Sequence, residues 1–144
     1  MELSEVSVKL HYDIDAEDFS GAGEASSSVK KTMKTLGISP DVIKRVAIAM
    51  YEAEINAVIH ADGGWADVSI SPEQVEIVIS DRGPGIPNID QAMQEGWSTA
   101  SETVRELGFG AGMGLPNMKR YTDEMKVESV VGEGTTVTLI VNIR

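Results

Sequence analysis

Glu52 and Asn56 stand four residues apart in the run Glu52-Ala-Glu-Ile-Asn56. Residues at that spacing in a helix share one face. A carboxylate there can orient and deprotonate a hydroxyl nucleophile. One turn along, an asparagine carbonyl is a neutral, hard oxygen ligand of the kind that suits Mg²⁺, which keeps most of its waters and takes phosphate oxygens. Taken alone, the pair also fits a solvated polar stripe.

Two further segments carry chemistry. Asp81-Arg-Gly83-Pro-Gly85-Ile86 follows directly on an apolar strand. A strand-end aspartate beside glycines can face a pocket closely lined by backbone. Its carboxylate accepts hydrogen bonds, so it suits the exocyclic amine of adenine and repels the O6 of guanine. The plain alternative is an acidic turn. In Gly108-Phe-Gly110-Ala-Gly112-Met113-Gly114-Leu115 four glycines alternate ahead of a helix. Backbone N–H groups in such a loop can approach an anion, and the following helix N-terminus adds partial positive charge. No lysine follows in the Walker position, and the spacing is not that of a dinucleotide fingerprint. A flexible hinge is the alternative here.

The elements that must position these residues follow from periodicity. Val6, Val8, Leu10, Tyr12 and Ile14 alternate as in a half-buried strand. Asp15 then reads as a helix N-cap with Asp18 three residues on, and Phe19, Ala22, Ser26, Val29, Met33 and Leu36 space out an amphipathic helix that Gly37 closes. Ser39-Pro40 opens a second helix running to about Ala61. Strands are predicted over Ala66–Ser71 and Gln74–Ser80, a helix over Leu115–Tyr121, and a last hairpin over Lys126–Val131 and Thr135–Ile143. Nine glycines and prolines fall in the 34 residues from Asp81 to Gly114, which reads as a functional lid at about 88–111. This order favours an α+β fold, a two-layer sandwich of a mixed or antiparallel sheet with helices on one face, in a single domain over 1–144.

Composition narrows the function. The chain of 144 residues has 42% hydrophobic residues and a formal net charge of −11. Such a surface repels phosphate backbones and anionic lipid, which argues against nucleic-acid and membrane-surface roles. With no cysteine and two histidines, the chain has no disulfide, thiolate zinc site or cysteine nucleophile, and no histidine-rich metal site. The start has no apolar signal region, so the expected location is the cytoplasm.

Taken together, the three segments resemble the ATP-binding Bergerat (GHKL) fold shared by gyrase, Hsp90, histidine kinases and MutL. The N-box matches as Glu52 to Asn56, the first glycine box as Asp81 to Gly85, the second as Gly110 to Gly114, and Gly134-Thr135-Thr136 falls where that family places a threonine near adenine. Within it the chain is most similar to bacterial anti-sigma-factor serine kinases and stressosome switch kinases. The likeness lies in Glu52–His60, Ser80–Pro87, Gly96-Trp-Ser-Thr99, Gly112–Asn117 and Gly132–Thr136. The ten residues from Ala100 to Phe109 lean toward the anti-sigma branch, and Gly114-Leu-Pro toward the switch branch.

The resemblance implies an ATP–Mg²⁺-dependent protein kinase that phosphorylates a serine of a STAS-domain antagonist in a sigma-factor pathway. Glu52 would be the base and Asn56 the Mg²⁺ ligand. The nucleotide would be held by Asn56, Asp81, Gly83, Gly85, Ile86, Ser98, Thr99, Gly110, Gly112, Met113, Gly114, Leu115 and Thr135, with Asp81 reading adenine and Ser98 and Thr99 at the γ-phosphate once the lid closes. Partners would be that substrate, a sigma factor and a second copy, since relatives are often dimers. Two other functions use the same residues: an ATP-sensing binding module without transfer, and an ATPase with water as acceptor. A pure sensor needs Asn56 and Asp81 but no base, so Glu52 favours catalysis. His11 sits in a strand pattern and is no phospho-acceptor of a helical type. His60 is read as packing or capping the helix end, Trp65 and Trp97 as loop residues, and Met33, Met50, Met113 and Met118 as core filler.

Overall fold

The computed structural model describes residues 8–14, 23–60, 63–83, 93 and 114–143, with only the backbone of residues 59, 60 and 114. Along the chain these form β1 (Val8–Ile14), α1 (Glu24–Thr35), α2 (Pro40–His60), β2 (Gly64–Ile70), β3 (Gln74–Asp81), α3 (Gly114–Tyr121), β4 (Glu124–Val130) and β5 (Gly134–Asn142). The strands make one sheet in the order β1-β2-β3-β5-β4, with every pairing antiparallel. The expected α+β architecture is present, and the choice between a mixed and an antiparallel sheet falls to antiparallel.

Strand alternation decides where the core lies. Ala66, Val68 and Ile70 of β2, Val75, Ile77 and Ile79 of β3, and Val137, Leu139 and Val141 of β5 are buried, while their neighbours are more open. Those side chains share one cluster with Val29 and Met33 of α1, Val46 and Met50 of α2, and Leu115 and Met118 of α3. All three helices therefore cover one face of the sheet. Met33, Met50 and Met118 are fully enclosed, as core filler should be.

Ser39 caps α2 as its sequence announced, accepting the Val42 N–H on Oγ at 3.4 Å. The first helix departs from expectation. It starts at Glu24, because Gly23 adopts left-handed dihedrals (φ 96°, ψ −6°) that cannot continue a helical ladder upstream. The proposed cap at Asp15 and the positions Phe19 and Ala22 lie outside the described residues. At the other end Leu36, read as part of the buried stripe, is the C-cap and is 48% exposed, while Gly37 closes the helix with φ 76°. Trp65, read as a loop residue, belongs to β2, since Gly64 already pairs with Asp81. Among the described residues no helix is long and apolar enough to cross a membrane.

Candidate nucleotide site

Because β5 lies beside β3 and runs against it, the first residues of β5 meet the last residue of β3. Asp81 Oδ1 accepts the backbone N–H of Gly83 at 2.9 Å and that of Thr135 at 3.2 Å. Among the described residues Oδ2 has no partner. Alternation puts Asp81 and Thr135 on the helix side of the sheet, and Arg82 on the other, where its guanidinium sits 5.2 Å from the centre of the Trp65 ring. Thr135 is buried, and its hydroxyl is 2.9 Å from that of Ser129 on β4.

Two glycines make this close assembly. A Cβ on Gly134 would overlap the carbonyl oxygen of Asp81, and its φ of 137° disfavours any side chain. A Cβ on Gly64, across the other edge of β3, would overlap the carbonyl oxygen of Ser80. Backbone from β2 and β5 therefore closes in on both sides of the strand end that carries the aspartate.

The second part of the site is on α2. Gly63 N–H donates to the Ala57 carbonyl at 3.2 Å, and Gly64 next to it is in register with Asp81. The C-terminal half of α2, with Glu52 and Asn56, is thereby tied to the end of the sheet where Asp81 lies. Glu52 and Asn56 are half-buried, four residues apart as the spacing required. Helix α3 packs along α2 and brings the Asn117 amide toward Glu52. Burial pushes the Glu52 carboxyl above its ordinary value, and the polar Asn117 amide pulls it part of the way back. A carboxylate of this kind is a better proton acceptor than an exposed one.

Asn56 makes no side-chain hydrogen bond among the described residues, and its carbonyl is the hard oxygen that Mg²⁺ accepts. No three histidine or acidic side chains assemble as a cation cage among the described residues. A half-buried amide fits an ion that takes one side-chain oxygen and completes its shell with water and phosphate.

The structure thus brings Asp81, Gly83 and Thr135 into direct contact and puts Glu52 against α3, the helix that Gly114 opens. Leu115 packs into the core. Gly85, Ile86, Ser98, Thr99, Gly110, Gly112 and Met113 lie outside the described residues, as do Trp97, the His60 side chain and the lid apart from Met93, which packs against the core. Two polar residues received no role from the sequence. Glu54 is 3% exposed and accepts the backbone N–H groups of Gly23 at 2.8 Å, Ala25 at 3.3 Å and Ser26 at 3.1 Å. Its only signal was a charge on the apolar side of α2. Asn117 had none beyond its place after the second glycine box.

Comparison with known proteins sets this geometry in context. Residues 18–141 match the histidine kinase-like ATPase domain. The chain is 32% identical over 115 residues to the serine/threonine-protein kinase RsbT of Bacillus subtilis, covering 77% of this chain and 80% of RsbT. It is 33% identical over 131 residues to the anti-sigma F factor of Geobacillus stearothermophilus, covering 84% of this chain and 86% of that one. Its fold is similar to the crystal structure of the RsbU and RsbW domains of a Mycobacterium tuberculosis protein, with a TM-score of 0.64 at 19% identity, covering 93% of this chain and 32% of that one.

Proposed function

The chain belongs to the histidine kinase-like ATPase domain family, and on that premise we propose that it is a serine kinase of a sigma-factor pathway whose substrate is a STAS-domain antagonist. The observation that carries this reading is Glu52, a half-buried carboxylate one helical turn from Asn56, with its proton affinity raised by burial. A module that only sensed nucleotide would have no use for it. ATP binding comes with the family. The finer assignments are part of this proposal: Asp81 accepts the adenine amine, Asn56 supplies the oxygen ligand for Mg²⁺, and the glycine segments cradle the phosphates. The cytosol, where ATP and the transcription machinery meet, is the proposed place of action.

In the transfer step the serine hydroxyl oxygen forms a bond to the γ-phosphorus. The bond from that phosphorus to the β,γ-bridging oxygen breaks, and its electron pair leaves on ADP. The hydroxyl proton passes to a carboxylate oxygen of Glu52. A bound Mg²⁺ supplies charge neutralisation on the phosphates. The protein's share is positioning: Asp81, held by the Gly83 and Thr135 N–H groups, presents a fixed acceptor for the base, and α2 holds Glu52 in register with Asn56.

Incubation with γ-labelled ATP, Mg²⁺ and a purified STAS-domain protein tests the reading. Label on a serine of that protein is the expected result. ATP consumed with all label in free phosphate would make the protein an ATPase. Tight ATP binding with neither product would make it a sensor.

A further inference from the structure

The turn between β4 and β5 is closed by the Glu133 N–H, which donates to the Val130 carbonyl at 2.9 Å, and Gly132 and Gly134 within it take φ of 85° and 137°. That turn sets the register in which Ser129 faces Thr135. Met125 and Val127 of β4 pack against the core, so alternation puts Ser129 on the helix side of the sheet with Thr135 and Asp81. The two hydroxyl oxygens are 2.9 Å apart, and Ser129 Oγ donates to the Gly134 carbonyl at 3.3 Å. A hydroxyl has one proton to give. With that of Ser129 on Gly134, Thr135 must donate the bond between the two, and its Oγ1 keeps only lone pairs for a further partner. Thr135 is buried, where giving up that bond is costly. Its N–H meanwhile holds Asp81 Oδ1 at 3.2 Å, which ties this hydroxyl to the residue read as the adenine acceptor.

Resting on that reading of Asp81, we propose that Ser129 is the positioning residue that makes this end of the site select a purine with an amine at C6. It takes the Thr135 proton, so Thr135 Oγ1 meets the base as an acceptor, as Asp81 Oδ2 does. An exocyclic amine has two hydrogens to offer such a pair. A carbonyl at the same carbon meets lone pairs on both. Ser129 touches no nucleotide in this scheme and acts through the direction of its cross-strand neighbour's hydroxyl. A threonine without that neighbour is free to turn its proton toward a carbonyl and accept the wrong base. Selection here comes from fixing a rotor against the competitor, as well as from a contact to the favoured ligand.

Calorimetric titration of the full chain, S129A, S129T, T135V and the double variant S129A/T135V is the test. Each is titrated with ATP and with inosine triphosphate, which carries a carbonyl where adenine has its amine. The parent should prefer ATP. S129A should lower that preference about fivefold, with inosine triphosphate bound more tightly than by the parent. S129T keeps a hydroxyl and should hold the parent's preference, and the double variant should match T135V alone. An unchanged preference in S129A overturns the proposal, as does an S129A that weakens both nucleotides alike. An effect of S129A that survives in the T135V background overturns it too, because Ser129 would then act by another route. The two ideas fail separately. A parent that binds inosine triphosphate as well as ATP, or binds neither, removes the adenine reading and the role of Ser129 with it. An ATP-selective parent beside an equally selective S129A removes Ser129 alone.

Discussion

Glu54 Oε2 accepts the backbone N–H of Gly23 at 2.8 Å, so a residue in the middle of α2 caps the start of α1. The same carboxylate takes the N–H groups of Ala25 and Ser26, and Ser26 Oγ donates to the Gly23 carbonyl at 3.0 Å. The opening donors of a helix normally find a local serine, threonine or acid. Here Gly23 has no side chain to give, and an anion from the neighbouring helix also meets the positive end of the α1 dipole. The two helices are thereby fixed to each other at the residue between Glu52 and Asn56.

Removal of this acceptor should cost stability. Glu54→Ala leaves three backbone donors without it in a buried place, and a loss of about 3 kcal/mol follows from hydrogen bonds to a charged group. Glu54→Gln, which keeps one accepting oxygen, should lose less. Urea denaturation midpoints for both variants check this. A Glu54→Ala midpoint equal to that of the parent chain would show that the N–H groups find other partners.

Glu52 makes a prediction in pH. Only its ionised form accepts a proton, and burial sets its midpoint above the ordinary glutamate value. Phosphoryl transfer should therefore rise with pH through a midpoint above that value, and fall on acidification earlier than an exposed glutamate would allow. Glu52→Gln should retain ATP affinity and lose transfer by about 10²- to 10⁴-fold. A pH–rate profile flat across the acid range would rule the residue out as base.

At Asp81 the division of labour between the two carboxylate oxygens matters. Asn in its place can still accept the Gly83 and Thr135 N–H groups on Oδ1, so the fold should survive. The second position then becomes an NH₂, which cannot accept the adenine amine. Asp81→Asn should weaken ATP binding by about tenfold or more, as befits a lost hydrogen bond to a charged group. Calorimetric titration of parent and variant with ATP and GTP decides it. Unchanged ATP affinity would remove Asp81 from the pocket, and equal binding of GTP by the parent would contradict adenine selection.

On the outer face of the sheet, His11 Nδ1 is 2.6 Å from Asp67 Oδ1 across the β1–β2 register, and Nε2 is 3.2 Å from Asp13 Oδ1 two residues along β1. Asp67 first, and Asp13 second, raise the imidazole above its ordinary value of 6.5. A raised histidine contributes stability that is complete below the unfolded value and fades as pH climbs through the folded one. An NMR titration should place the His11 midpoint above 6.5, and Asp67→Asn should bring it down. A midpoint that ignores this substitution would mean that the pair is not formed in solution.

Local pattern carried much of this protein. The strands read at Val6–Ile14 and Gln74–Ser80, the Ser39 cap and the long apolar helix behind it are short-range properties, and they reappear as Val8–Ile14, Gln74–Asp81 and Pro40–His60, with Val6 and Ser7 outside the described residues. The four-residue interval from Glu52 to Asn56 is likewise dictated by helix geometry alone. Tertiary structure decided what joins residues distant in the chain. The pairing of Asp81 with Thr135, 54 positions away, exists only because β5 inserts between β3 and β4. The cap that Glu54 gives to Gly23 spans 31 positions, and it seats the start of α1 at Glu24. The Asn117 amide is brought toward Glu52 because α3 docks on α2. Periodicity reports which face of an element is buried. Which buried polar group on one element satisfies the donors or acceptors of another is set by packing, and no local pattern encodes it.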